Sequence, residues 1–126
     1  MATLPPVLAD WFAAKGWTPR RHQLALLDVA RAGRHALLVA PTGAGKTLAG
    51  FLPSLVDLIE APSEALHTLY VSPLKALAVD VQRNLLAPIA EMGLPIRVET
   101  RTGDTPSERK ARQRARPPHI LLTTPE

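Results

Sequence analysis

Cysteine is absent from the 126 residues, which excludes disulfides and thiolate metal sites. Aromatic residues are scarce, at 4%, too few for the base-stacking platform many single-strand binders use. No apolar run approaches the ~20 residues of a membrane-spanning helix. Nothing spells the charged start, apolar stretch and cleavage site of a secretory leader. The expectation is a protein of the reducing cytoplasm with no membrane attachment. One more absence matters for chemistry: no Asp-Glu pair follows a strand-like segment anywhere in the chain.

What is present is ordinary for a folded domain: 46% apolar and 21% charged residues, in a chain long enough for one domain at the small end of the range. The formal net charge of +4 suits a polyanionic partner. Six of the 15 Lys and Arg residues fall in the last 26 positions: Arg101, Arg109, Lys110, Arg112, Arg114 and Arg116. A polar helix over 107–116 either extends a nucleic-acid track or is a solvated face, and a solvated face is the expectation.

Gly and Pro divide the chain into short units. Residues 7–15 read as a helix ended by Gly16. A second helix over about 20–32 sets Leu24, Leu27 and Ala30 or Arg31 along one side and stops at Gly33. "HALLVA" (35–40) has the length and composition of a strand. Residues 46–60 carry Leu48, Phe51, Leu52, Leu55 and Ile59 at helical spacing, with Pro53 inside. Strands are expected at 67–72, 96–100 and 119–124. A helix over 74–92 sets Leu74, Leu77, Val81, Leu85 and Ile89 on one face and closes at Gly93, and a polar helix runs over 107–115. Strands alternating with helices imply an α/β fold with a mostly parallel sheet. The apolar spelling of the strands implies cover on both sheet faces.

The stretch "APTGAGKTLAG" (40–50) sits between the first expected strand and a helix. Glycines there let backbone N–H groups surround phosphate oxygens at a helix N-terminus. Thr42, Gly43, Ala44 and Gly45 would form the cradle, and Lys46 would reach the β- and γ-phosphates. The Thr47 hydroxyl would hold Mg2+. Ala40 stands where such loops often begin with glycine, which is tolerable where φ stays negative. The loop points to a nucleoside triphosphate. By itself it leaves open a kinase, a GTPase, a recombinase or a motor.

The flanking residues narrow the choice. "APTGAGKT" resembles motif I of superfamily 2 DEAD/DEAH-box helicases, and "GWTPRRHQ" (16–23) resembles their Q motif, with three residues rather than one between proline and glutamine. "YVSPLKALAVDVQRNL" (70–85) resembles motif Ia, with a core like the large helicase-related (Lhr) family. "TRTGDT" (100–105) resembles the glycine-containing segment that follows, and "ILLTTPE" (120–126) resembles motif Ib. The opening and the loop are most similar to the ligase-associated DEXH-box DNA helicases.

The resemblance implies a RecA-like P-loop NTPase domain, the first of two such domains, ending before motif II. Residues 1–34 would be a helical lead-in and 35–126 an incomplete α/β core. It implies ATP and Mg2+ as cofactors, Gln23 as the reader of the adenine edge, and Lys46 and Thr47 as catalytic residues. Pro73, Lys75, Thr102, Gly103, Thr123 and Thr124 would contact one nucleic-acid strand without reading its sequence. Pro73 also reads as a stop at a helix entry, and Thr123 and Thr124 as strand-end residues that tie local backbone.

The implied partners are single-stranded DNA in preference to RNA, a second RecA-like domain of a longer chain, and a DNA ligase or repair-nuclease system. The implied activity is ATP-dependent unwinding in DNA repair. With no motif II carboxylates, these 126 residues alone are expected to hydrolyse no ATP. An RNA helicase, another P-loop enzyme and a non-catalytic nucleic-acid-binding module are the alternatives.

Overall fold

The computed structural model describes residues 3–39 and 46–125. They fall into two compact units that divide between Ala61 and Pro62.

The first unit is helical. Helix α1 (Pro6–Ala14) starts with proline in its first turn, where a missing N–H costs nothing, and ends before Gly16, whose φ of 71° is left-handed. Leu8, Trp11 and Phe12, spaced three and four apart, are its buried residues. Trp11 meets Phe12 and Trp17 edge-on, with ring centroids 5.3 and 5.5 Å apart, and Lys15 Nζ lies 5.9 Å from both indole rings. Helix α2 (Arg21–Arg31) stops at a second left-handed glycine, Gly33, and packs against α3 (Lys46–Glu60). Leu27 is fully buried, whereas Leu24 is only partly so and Ala30 is exposed, so the buried side of α2 runs through Gln23 and Leu27. Arg31 bonds both Glu60 carboxylate oxygens, at 3.1 and 3.2 Å. In α3, Phe51, Leu52 and Leu55 are buried as the spacing predicts. Ala49, Ser54, Val56 and Leu58 are buried too, so the covered surface is wider than one stripe. Pro53 sits inside the helix without ending it.

The strand expected over 35–40 does not form in its described part, 35–39. Leu37 and Val39 are 88% and 85% exposed. A strand needs a neighbour to take its N–H and C=O groups, and the three described strands pair only with one another.

The second unit holds those strands. β1 (Thr68–Val71), β2 (Val98–Arg101) and β3 (Ile120–Thr123) form a parallel sheet in the order β1-β3-β2. The last strand in sequence is therefore the central one. Thr68 and Val98 both pair with Ile120, and Val71 and Arg101 both pair with Thr123, so all three strands end level. Helix α4 (Lys75–Met92) packs on β2 and β3, and α5 (Ser107–Ala115) links β2 to β3. Gly93, with φ 67°, closes α4 by the left-handed cap that glycine adopts without a Cβ penalty. Ile120 and Leu122 of the central strand are fully buried.

Two expectations change here. Edge strand β1 alternates instead of being covered on both sides: Leu69 and Val71 are 57% and 52% exposed, because α4 lies over β2 and β3. On α4 the buried row is Ala78, Val81, Leu85, Pro88 and Ile89, while Leu74 and Leu77 are exposed. Val81, Leu85 and Ile89 are buried as expected, and the row differs only at its start, where Leu74 is the extended cap residue outside the helix and Ala78 is buried in place of Leu77.

No described helix is long and apolar enough to cross a membrane. The described residues contain no group of three or more His, Asp or Glu side chains placed to hold a metal ion.

Candidate nucleotide and nucleic-acid interfaces

In the first unit the nucleotide candidates are Gln23, Lys46 and Thr47; Thr42, Gly43, Ala44 and Gly45 lie outside the described residues. Lys46 and Thr47 open α3, Lys46 exposed and Thr47 half-buried. The first turn of this 15-residue helix carries no acidic side chain. With no acidic side chain in that turn, the Lys46 ammonium and the helix N-terminus suit triphosphate oxygens, and the Thr47 hydroxyl oxygen suits a magnesium ion.

Gln23 is 97% buried, and its Oε1 accepts a hydrogen bond from the Arg20 N–H at 2.8 Å, satisfying a backbone donor at the start of α2. Its carboxamide therefore has a structural task whatever else it touches. Next to it, the buried His22 Nε2 has no partner among the described residues.

In the second unit the parallel sheet brings together what the chain keeps apart. Pro73 and Lys75 follow β1, Thr102 and Gly103 follow β2, and Thr123 and Thr124 end β3. Because the strands are parallel and end level, all six lie at the sheet's carboxyl edge, where open α/β sheets bind ligands.

The edge is stiffened locally. The Ser72 N–H donates to Thr123 O at 2.9 Å, and the fully buried Ser72 hydroxyl donates to Leu74 O at 3.0 Å, which fixes the entry to α4. Across the sheet, the Thr102 N–H donates to Thr105 Oγ1 at 2.9 Å and the Thr105 N–H returns to Thr102 O at 3.1 Å, closing a tight turn. Gly103 sits exposed at its tip, where a Cβ would meet no atom within 4 Å. Neither packing nor a positive φ requires glycine there.

An open cleft of ≈ 440 Å³ lies at this edge, lined by Lys75, Thr100, Thr102, Asp104, Thr105 and Arg109 among others. Lys75 Nζ forms an ion pair with Asp104. The Thr102 hydroxyl accepts from the Asp104 N–H at 3.3 Å. The start of α4, with no acidic residue in its first turn, adds the positive end of a helix dipole.

The other candidates differ. Thr123 Oγ1 donates to Arg101 O at 2.5 Å, a tie across the β2–β3 register that leaves this hydroxyl only as an acceptor. Thr124 is 93% buried. Pro73 is exposed at the bend before α4, the position of a helix-entry stop, and does not line the cleft. Asp104 and Thr105 carry no sequence signal of their own, and Arg109 enters the sequence reading only as one of six cations near the end of the chain. Asp104 and Thr105 stood inside the quoted "TRTGDT", with nothing to say that one would hold Lys75 and the other would staple the turn. Arg109 was submerged in a run of arginines.

A parallel sheet with crossover helices and its candidate binding residues at the carboxyl edge is the layout of a RecA-like α/β domain. The comparisons with known proteins give that class its family. Residues 20–126 match the DEAD/DEAH box helicase family, and the chain belongs to it. The Lhr helicase/probable uracil glycosylase of Mycolicibacterium smegmatis is 43% identical over 93% of the chain, which spans 9% of that protein. The ATP-dependent helicase Lhr-Core of Saccharolobus solfataricus is 41% identical over 98% of the chain, which spans 15% of it. Among solved structures, the Mycobacterium smegmatis helicase Lhr bound to ssDNA and AMP-PNP superposes with a TM-score of 0.85 at 40% identity, over 97% of this chain and 17% of that one.

Proposed function

We propose that the chain is the N-terminal part of the first RecA-like domain of an ATP-dependent DNA helicase that acts in DNA repair, within the ligase-associated branch. The observation that carries this reading is the cleft at the carboxyl edge, where Lys75 from one motif and Thr102 from another line one surface. The relative solved with ssDNA and AMP-PNP supports single-stranded DNA as the polymer and ATP as the nucleotide.

On this reading Thr42, Gly43, Ala44, Gly45 and Lys46 cradle the phosphates, Thr47 holds Mg2+, and Gln23 selects adenine. When bound, ATP supplies the phosphoryl transfer that drives movement along the strand. The chain's own residues orient it: the Lys46 ammonium offsets phosphate charge and the start of α3 offers its N–H groups. Lys75, Thr102 and the Gly103 backbone hold the strand by its phosphates and sugars. Residues 1–34 serve as lead-in and 35–126 as core, in a cytoplasmic protein. The further partners are a second RecA-like domain and a DNA ligase or repair nuclease.

Fluorescence anisotropy with labelled oligo(dT) and oligo(U), with and without AMP-PNP, tests the reading. DNA binding that responds to AMP-PNP and loses the response in Lys46→Ala is the expected result. Equal or tighter binding of oligo(U) would overturn the DNA assignment. Binding indifferent to both AMP-PNP and Lys46→Ala would make this a non-catalytic binding module.

A further inference from the structure

The cations near the end of the chain have different fates. Arg112 pairs with Glu99 at 3.0 Å. Arg101 donates to Lys110 O at 3.2 Å, and Arg97 donates to Pro117 O at 2.9 Å. These three hold α5 and the approach to β3 against β2. Arg109 has no ion-pair partner among the described residues, is exposed, and lines the cleft with Lys75.

Its direction follows from the helix. Gln113, one turn further along α5, is buried and donates to Glu99 Oε1 and Thr100 O, both at 3.1 Å, so this row of α5 faces β2. Residues four apart share a helix face, and the step back to Arg109 leads toward the strand's carboxyl end. Within the cleft Asp104 offsets Lys75, which leaves the Arg109 charge uncompensated beside Thr100, Thr102 and Thr105. A planar guanidinium suits the paired oxygens of a phosphodiester, and threonine hydroxyls complete such a site.

We propose that Arg109 binds a backbone phosphate of the nucleic-acid strand, making α5 part of the strand track instead of a solvated face. The assignment rests on the strand reading of the cleft given above. A phosphate contact is shared by DNA and RNA, so both oligo(dT) and oligo(U) serve as probes.

The test is the salt dependence of binding to the full chain, read by anisotropy. Arg109→Gln lowers the slope of log affinity against log salt by about 0.7, the value of one single-strand phosphate, and does so on both oligonucleotides. Arg109→Lys keeps the wild-type slope, and Arg114→Gln, on the same helix but outside the cleft, leaves it unchanged. An unchanged slope in Arg109→Gln alongside a reduced one in Lys75→Gln would overturn the assignment alone. An equal drop in Arg114→Gln would reduce it to bulk electrostatics, and a drop on one oligonucleotide only would replace phosphate by sugar; either overturns it. If Lys75→Gln also leaves the slope unchanged, the strand reading falls and takes this assignment with it.

Discussion

The two units carry their candidate sites in opposite ways. In residues 1–61 the phosphate-binding candidates are contiguous in sequence, residues 42–47, and the last two open α3. In residues 62–126 the strand-binding candidates come from three segments up to about 50 residues apart, and they meet only because three parallel strands end level. A contiguous site depends on backbone conformation within a few residues. A dispersed site depends on sheet register, and with it on the buried side chains that keep the sheet together.

The largest expected effect breaks the dispersed site through the fold. Leu122→Ala on the central strand removes a fully buried side chain. It should cost about 2–5 kcal/mol in a urea denaturation series. Leu69→Ala, on the half-exposed edge strand, should cost far less. Similar losses in both would mean that the sheet is not organised around β3.

Next comes the contiguous site. Lys46→Ala should weaken binding of a fluorescent ATP analogue roughly ten- to hundredfold, as expected for losing one charge-assisted contact. The denaturation midpoint should stay put, since the side chain is exposed.

Gln23→Ala sharpens the comparison, because this residue has both a local and a proposed ligand role. Loss of its bond to the Arg20 N–H should cost about 0.5–2 kcal/mol of stability. If Gln23 also reads adenine, the preference for ATP over GTP falls in the same variant. A stability loss with an unchanged ATP-to-GTP ratio would leave it as a helix cap only.

The smallest effect is in the cleft. Asp104→Asn frees Lys75 from an ion pair between well-exposed groups. Strand binding should tighten by an amount within the ~0–1 kcal/mol that such pairs are worth. Weaker binding would mean that Asp104 positions Lys75 instead of competing for it.

Much of the fold was legible because its signals are local. Gly16, Gly33 and Gly93 mark three helix ends with left-handed backbone, and the stripe of α3 and the strand positions at 68–71 and 120–123 were readable from spacing and composition. The parallel pairing was also legible, and what misled were particular inferences about packing neighbours. "HALLVA" has strand composition, but composition supplies no neighbour for its hydrogen bonds. Leu74 fits the helical spacing of α4, but its extended backbone puts it outside the helix.

By itself, the sequence determined the motif order, the phosphate-loop spelling, the family resemblance and the punctuation of the helices. All of these depend on residues within about one helical turn or on the identity of short segments. Only the tertiary structure decided that β3 is central, that Lys75 meets Asp104 across 29 residues, and that the Thr123 hydroxyl is tied to β2. It also separated the arginines, engaging Arg101 and Arg112 within the fold and leaving Arg109 at the cleft. Such outcomes follow from which strands pair and in what register, and pairing between distant segments leaves no mark on the residues between them.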